Sequence, residues 1–174
     1  MLGDLIGDYR AFFADQVGRL TGIGIDVSGY SVSHLAFRTE TLEEYLSLRD
    51  QIESVSRANV ENQWSGRPIS KLLLKRPLEV GSSHSIDLIE LIPPEHRPGY
   101  PLGMEHIGFV LGDDFDAFAR RHEAVLTGQQ DQGPLNQPLY VTFDDDTTVK
   151  FHRLSLHDVV VAEGRAFDGF QHVA

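Results

Sequence analysis

Apolar residues recur at helical spacing from the start of the chain: Leu5, Ile6, Tyr9, Phe12, Phe13, Val17 and Leu20. Positions three and four apart share a helix face, so residues 2–20 predict one amphipathic helix with a short frayed start, ended by Gly22 and Gly24. The period then changes. Residues 30–38 alternate as a strand. Thr39 and Thr41 are candidate caps for a helix reaching about residue 57, with Glu43 and Glu44 in its first turn. Its expected buried face is Leu42, Tyr45, Leu46, Leu48, Ile52 and Val55. Strands are expected over 60–63, 69–75 and 85–92, with a turn at Ser65-Gly66-Arg67-Pro68 and with Lys71 and Lys75 toward solvent. Residues 77–84 read as a hairpin-like connection. Pro93-Pro94 stops the last strand, because proline cannot donate to a sheet ladder.

Residues 93–102 are rich in proline and glycine and read as a linker. The same order of elements then returns. A strand at 104–111 leads to a helix capped by Asp113 or Asp114 and reaching about residue 126. A polar loop fills 127–138. Strands follow at 139–143 and 147–154, joined by a turn at Asp144-Asp145-Asp146. Ser155 caps a last short helix with Asp158 at its third position, and the tail after Gly164 reads as a surface segment. The expected class is α+β: two βαβββ modules, 25–95 and 100–162, forming one cup-shaped mixed sheet. They make a single domain over 1–174, with residues 1–24 as an N-terminal helical addition.

The repeat is visible in the residues themselves. Ser33-His34-Leu35-Ala36-Phe37 returns as Glu105-His106-Ile107-Gly108-Phe109. Alternate side chains of a strand share a face, so His34 lies with Val32 and Ala36, and His106 with Met104 and Gly108. Small neighbours leave room beside each imidazole. The last strand of each module adds a further candidate ligand, Glu90 and His152. A carboxylate in an apolar strand is costly to bury unless it is paired or metal-bound. Three histidines and one carboxylate suit Zn, Fe, Ni, Co or Mn without choosing among them. A six-coordinate ion held by all four leaves two open positions, whereas a four-coordinate zinc is closed and structural. The plainer readings are core or surface histidines, and a Glu90 paired with Arg67, Arg97 or a lysine. Arg38, Arg67 and Lys150 are the cations nearest the expected sheet interior and are candidates for holding a substrate anion.

Composition narrows the chemistry further. No cysteine occurs, which excludes disulfides, thiolate nucleophiles and thiolate zinc sites. The formal net charge of −11 argues against nucleic acid and anionic membranes as partners. No apolar run reaches membrane-span length, and the start has an early acid and no basic stretch. A cytoplasmic location is therefore the expectation. Neither a glycine-rich phosphate loop nor a G-x-S-x-G elbow is present.

The ordered set of motifs resembles the vicinal oxygen chelate superfamily, which includes glyoxalase I, extradiol dioxygenases and methylmalonyl-CoA epimerase. More closely, it resembles the bacterial YecM family, for which metal binding is proposed. The resemblance rests on Ser33-His34-Leu35-Ala36-Phe37-Arg38, Gly66-Arg67-Pro68-Ile69, Glu90-Leu91 before prolines, Glu105-His106-Ile107 and Val149-Lys150-Phe151-His152, and spans roughly residues 25–162. It implies the glyoxalase/bleomycin-resistance/dioxygenase-like fold and a divalent metal on His34, Glu90, His106 and His152. His152 departs from the commoner pattern, in which a glutamate closes the second module and often acts as the acid–base group. The implied function is a metal-dependent lyase, isomerase or dioxygenase acting on a small oxygen-rich substrate. The alternatives are a non-catalytic metal or small-ligand binding protein and a metal-free interaction module. Two modules in one chain make a monomer sufficient, and a homodimer is compatible.

Overall fold

The structure is a computed structural model that describes residues 2–173; Met1 and Ala174, the ends of the expected domain, lie outside the described residues. The N-terminal run forms two helices, α1 (Leu2–Ile6) and α2 (Tyr9–Gly22). Gly7, at φ 85°, breaks the helix, and Asp8 starts the next by accepting a 3.0 Å hydrogen bond from the Ala11 N–H. Leu2 and Ile6 are buried, so the start is a packed turn rather than a frayed one.

The first module runs β1 (Ser31–Arg38), α3 (Leu42–Glu53), β2 (Ser56–Trp64), β3 (Arg67–Val80) and β4 (His84–Ile92). The second runs β5 (Gly103–Val110), a 3-10 turn, α4 (Phe115–His122), β6 (Gly128–Gln129), β7 (Leu139–Thr142) and β8 (Thr148–His152). Helix α5 (Leu156–Ala162) and strand β9 (Gly169–Gln171) follow. Thr41 caps α3 and Ser155 caps α5, each accepting a 3.0 Å bond from the N–H three residues on. Asp114 precedes α4, but its carboxylate turns away to accept from Tyr30 and Arg121. Helix α4 stops at His122, and Val125 and Leu126 reach the core from the turn that follows.

Among the described residues the strands form one nine-stranded curled sheet in the order β6-β7-β8-β5-β1-β4-β3-β2-β9. In each module the first and last strands pair in parallel, β1 with β4 and β5 with β8. The modules meet at the antiparallel β1–β5 seam, where His34 faces Gly108, Leu35 faces Ile107 and Ala36 faces His106. Reading outward from the seam, both modules run first strand, last strand, then the middle pair. The two halves are therefore related by a pseudo-twofold axis through Leu35 and Ile107. This is the cup of paired βαβββ modules.

Strand alternation sends Leu35, Ile89, Ile107, Phe109, Val149 and Phe151 to the convex face. There they form the core with Phe13, Leu20, Tyr45, Ile52 and Phe118 from the helices. Each large apolar side chain so buried contributes roughly 1.5–3 kcal/mol before the cost of ordering it. The apolar face of α3 is narrower than expected. Tyr45, Leu48 and Ile52 are buried, while Leu42, Leu46 and Val55 are exposed, because Leu46 stands about 100° round the helix from Tyr45. Lys71 is buried on the concave face opposite Glu90, whereas Lys75 is exposed. The strand is longer than expected, and Lys71 falls where the sheet curls inward.

The tail does not lie loose on the surface. Strand β9 adds in parallel to the edge strand β2, pairing Ala58 with Gly169. Arg165 donates to the Glu61 carbonyl at 2.8 Å, and the Val173 N–H donates to the buried Glu61 carboxylate at 2.8 Å. Among the described residues no helix is long and apolar enough to cross a membrane.

Candidate metal centre

Two β-bulges build the site. Pairing across the seam slips between Val32 and His34 and again between Ala36 and Phe37. The extra residue is Ser33 on β1 and Glu105 on β5, which are pseudo-twofold equivalents. A bulge turns two successive side chains toward one face. Ser33 thus joins His34 on the concave side, and Glu105 joins His106. Val32 and Met104 pack with the convex core instead of sharing the histidine face.

Three donors converge. His34 Nε2 lies 3.1 Å from His106 Nε2, and Glu90 Oε2 lies 3.5 Å from the first and 3.2 Å from the second. Among the described residues these three form the one group of potential ligands close enough to share an ion. Each imidazole is fixed from behind. The Glu105 carboxylate takes the His106 Nδ1 proton at 3.1 Å and is itself held by the Arg38 guanidinium. Arg38 also donates to the Pro93 carbonyl at 3.0 Å. His34 Nδ1 meets the Ser33 hydroxyl at 2.9 Å, and that oxygen accepts from the Leu156 N–H at 2.8 Å. Both rings thus turn Nδ1 toward a backing group and Nε2 into the site, where a bound ion would take the two Nε2 lone pairs.

The electrostatics agree with donors rather than cations. Burial drives the His34 imidazole down to about 3, against the pull of Glu90, so the ring is neutral near pH 7. Burial opposes ionisation of Glu105, yet its bond to His106 and its pairing with Arg38 hold the carboxyl down at about 2. Glu90 is half-buried at the floor of the cup; burial opposes its ionisation, yet its contact with His106 and the charges around it keep it well below the ordinary carboxylate range.

The remaining expected site residues occupy distinct places. The His152 ring lies 5.3 Å from the His34 ring, on its Nδ1–Cε1 side rather than its Nε2 side. Its Nε2 is buried without a hydrogen-bond partner. The geometry thus brings together His34, Glu90 and His106 and leaves His152 behind His34. Register explains the difference. Glu90 stands across from Ala36, and the equivalent position across from Gly108 is Lys150, not His152. Arg38 serves Glu105. Arg67 sits at the cup rim, bonded to Glu95 at 3.0 Å and to the Pro94 carbonyl at 3.1 Å. Ser33 and Glu105 were not singled out as functional from the sequence. Their signal was a polar residue before the histidine in both copies of the repeat, which strict alternation assigns to the wrong face.

With the site described, the chain can be set beside known proteins. The family model described as YecM protein matches residues 1–163. This chain belongs to the YecM family. Protein YecM of Escherichia coli (strain K12) is 27% identical over 184 residues, covering 95% of each chain. The solved structure of Protein EC4020 superposes with a TM-score of 0.76 at 27% identity, over 93% of this chain and 92% of its own. A methylmalonyl-CoA epimerase in complex with methylmalonyl-CoA and NH4+ matches 72% of this chain and 96% of its own at TM-score 0.45 and 13% identity, too remote to bear on the site.

The donor set of this YecM-family chain fits a divalent ion. Ligands about 2.1 Å from a metal stand about 3.0 Å apart at right angles and about 3.4 Å apart in a tetrahedron. The three observed separations, 3.1, 3.2 and 3.5 Å, lie within about 0.1 Å of that range. Three acceptors facing one another at this range repel unless a cation or shared protons lie between them. Closeness at the seam also explains the glycine in the second copy of the repeat. A Cβ at Gly108 would stand 2.6 Å from His34 Cε1 and 3.1 Å from His152 Nε2. The site opens into a cup of about 460 Å³, lined among others by Trp64, Arg67, Glu90, His106, Tyr140 and Lys150.

Proposed function

We propose that this protein binds a divalent metal ion through His34 Nε2, His106 Nε2 and Glu90, and uses it on a small oxygen-rich molecule held in the cup. The observation that carries this is the convergence of two buried imidazoles, each with Nε2 turned inward, on the half-buried Glu90 carboxylate. Two histidines and one carboxylate are a set that leaves coordination positions open, as in oxygen-using non-haem iron sites. When bound, iron would supply a redox centre, and Zn, Ni, Co or Mn a Lewis acid. The chain's own residues do the positioning. Ser33 and Glu105 orient the rings, Arg38 orients Glu105, and the seam closes one side of the site.

Of the reaction classes, dioxygenase-type chemistry fits this donor set better than a lyase or isomerase. A proton-shuttling isomerase needs a base on the substrate side of the ion. The position across from Gly108 carries Lys150, so the carboxylate shuttle of the commoner pattern has no counterpart there. Metal content of protein purified without added metal tests the reading. About one equivalent is expected in the unaltered protein and almost none in His34→Ala or His106→Ala. Unchanged content in both variants would falsify it. An iron signature by colour or electron paramagnetic resonance would support the dioxygenase class, and zinc alone would sink it.

A further inference from the structure

The two halves of the cup are lined differently. Below the metal ligands the first module offers Trp64, Ile69 and Ile92, with Arg67 at the rim. The second offers Tyr140, Thr142, Thr148 and Lys150, with Gln130 and Gln132 from the loop above. Lys150 pairs across the strands with Tyr140, and Thr148 with Thr142, so an amine and three hydroxyls share one patch of the concave face.

Lys150 is the anomaly in this wall. It is only 8% exposed and lines the cup. The other cations lining the cup have partners: Arg38 has Glu105, and Arg67 and Arg97 have Glu95. Lys71, buried on the other side of Glu90, donates to Asn62. Among the described residues Lys150 has no ion pair and no side-chain hydrogen bond. Glu90 and Glu105 act on it only through space. Its Nζ opens onto the cup with no protein acceptor, so its donors are free to meet a ligand there. A ligand that brings acceptors to this wall would meet an amine and hydroxyls already grouped to receive them.

We infer that Lys150, backed by the hydroxyls of Tyr140, Thr142 and Thr148, is the subsite for an anionic group of the cup's ligand, so that the ligand is a small anion carrying a carboxylate or phosphate-type group beside its metal-facing oxygen. Arg38 stands on Glu105 and Lys71 faces Glu90, whereas Lys150 has no carboxylate in contact. The inference rests on the metal reading for the ligand's other end, but the two can fail separately.

The test is calorimetric titration of metal-loaded protein with three probes: oxalate, inorganic phosphate and imidazole. Lys150→Met keeps the side chain's length and removes its charge, and Lys150→Gln keeps polarity in case the first variant folds poorly. Metal content and circular dichroism are measured on the same samples. The expected result is a loss of at least about tenfold in affinity for oxalate, phosphate or both, with metal content and imidazole affinity unchanged. A loss for oxalate alone assigns a carboxylate, and one for phosphate alone a phosphate-type group. Equal anion affinity in the variants and the unaltered protein overturns the inference while leaving the metal reading intact. Parallel loss for imidazole also overturns it, because Lys150 would then act on the ion and not on the anion. Absence of metal from the unaltered protein would instead sink the reading beneath it.

Discussion

The two modules share a backbone plan and differ at the position that decides the chemistry. Across from the small residue of the seam, the first module places Glu90 flanked by Lys71, and the second places Lys150 flanked by Tyr140. The histidine, the bulge before it and the small residue after the next position are common to both. What varies freely is the side chain on the fourth strand, whose charge is reversed. The outer strands differ as well. Strands β2 and β3 are long and carry the docked tail, while β6 and β7 are short and leave a loop over the cup. On the proposed reading, the first half would supply two of the ion's ligands, and the second a single histidine, with the rest of its concave face left to a guest. Duplication supplied the symmetry, and the departures from symmetry supply direction.

Removing the asymmetric carboxylate is the harshest test of this contrast. Glu90→Gln is expected to abolish stoichiometric metal binding, since it leaves two neutral imidazoles and no anionic donor; retention of a full equivalent would show that the modules are not divided as described. Gly108→Ala comes next. Its added carbon meets the His34 and His152 rings at under 3.2 Å, and a cost of about 1–3 kcal/mol with weakened metal binding is expected from thermal melts. The mirror change, Ala36→Gly, should leave metal binding intact.

The residues behind the rings should rank by charge. Glu105→Gln is expected to lower metal affinity by about 10–100-fold, and Ser33→Ala by less than about tenfold. Equal losses would remove the distinction between a carboxylate-backed and a hydroxyl-backed histidine. The same carboxylate sets an acid limb in the metal-free protein. Its folded pKa is depressed to about 2 from an ordinary 4.5, so its contribution is present above pH 4.5 and is lost as pH falls toward 2. His34, depressed to about 3 from 6.5, acts in the same direction but from higher pH, because the unfolded chain takes up the proton first. Melting temperature should therefore begin to fall below about pH 6.5 and fall faster below about pH 4.5, and Glu105→Gln should flatten only the lower part.

Much of this was legible in the sequence. The duplicated strand–helix–strand order followed from periodicity and turn residues, and His34, His106 and Glu90 followed from their apolar, small-residue settings. What failed depends on register and curvature. Nothing in residues 148–152 says whether Lys150 or His152 stands across from Gly108, because both lie on the same face two residues apart. A bulge looks like ordinary sequence until its partner strand is in place, so strict alternation puts Ser33 and Glu105 on the face opposite the histidines. Lys71 was read as solvated because alternation does not tell how far a sheet curls. Strand β9 escaped because a short, polar edge strand owes its existence to the free edge of β2 and not to its own composition. The single helix expected at the N-terminus split at a glycine whose positive φ only packing could demand.

The seam between β1 and β5 has a mechanical consequence. His34 and Glu90 come from one half of the molecule and His106 from the other, so an ion seated there would be a rivet through two plates. Neither half alone would hold it, and whatever holds it adds the metal's binding energy to the docking of the halves, about 4 kcal/mol at a thousandfold excess over Kd. Metal loading would then be felt first as rigidity, at the line where the two copies of an ancestral motif meet.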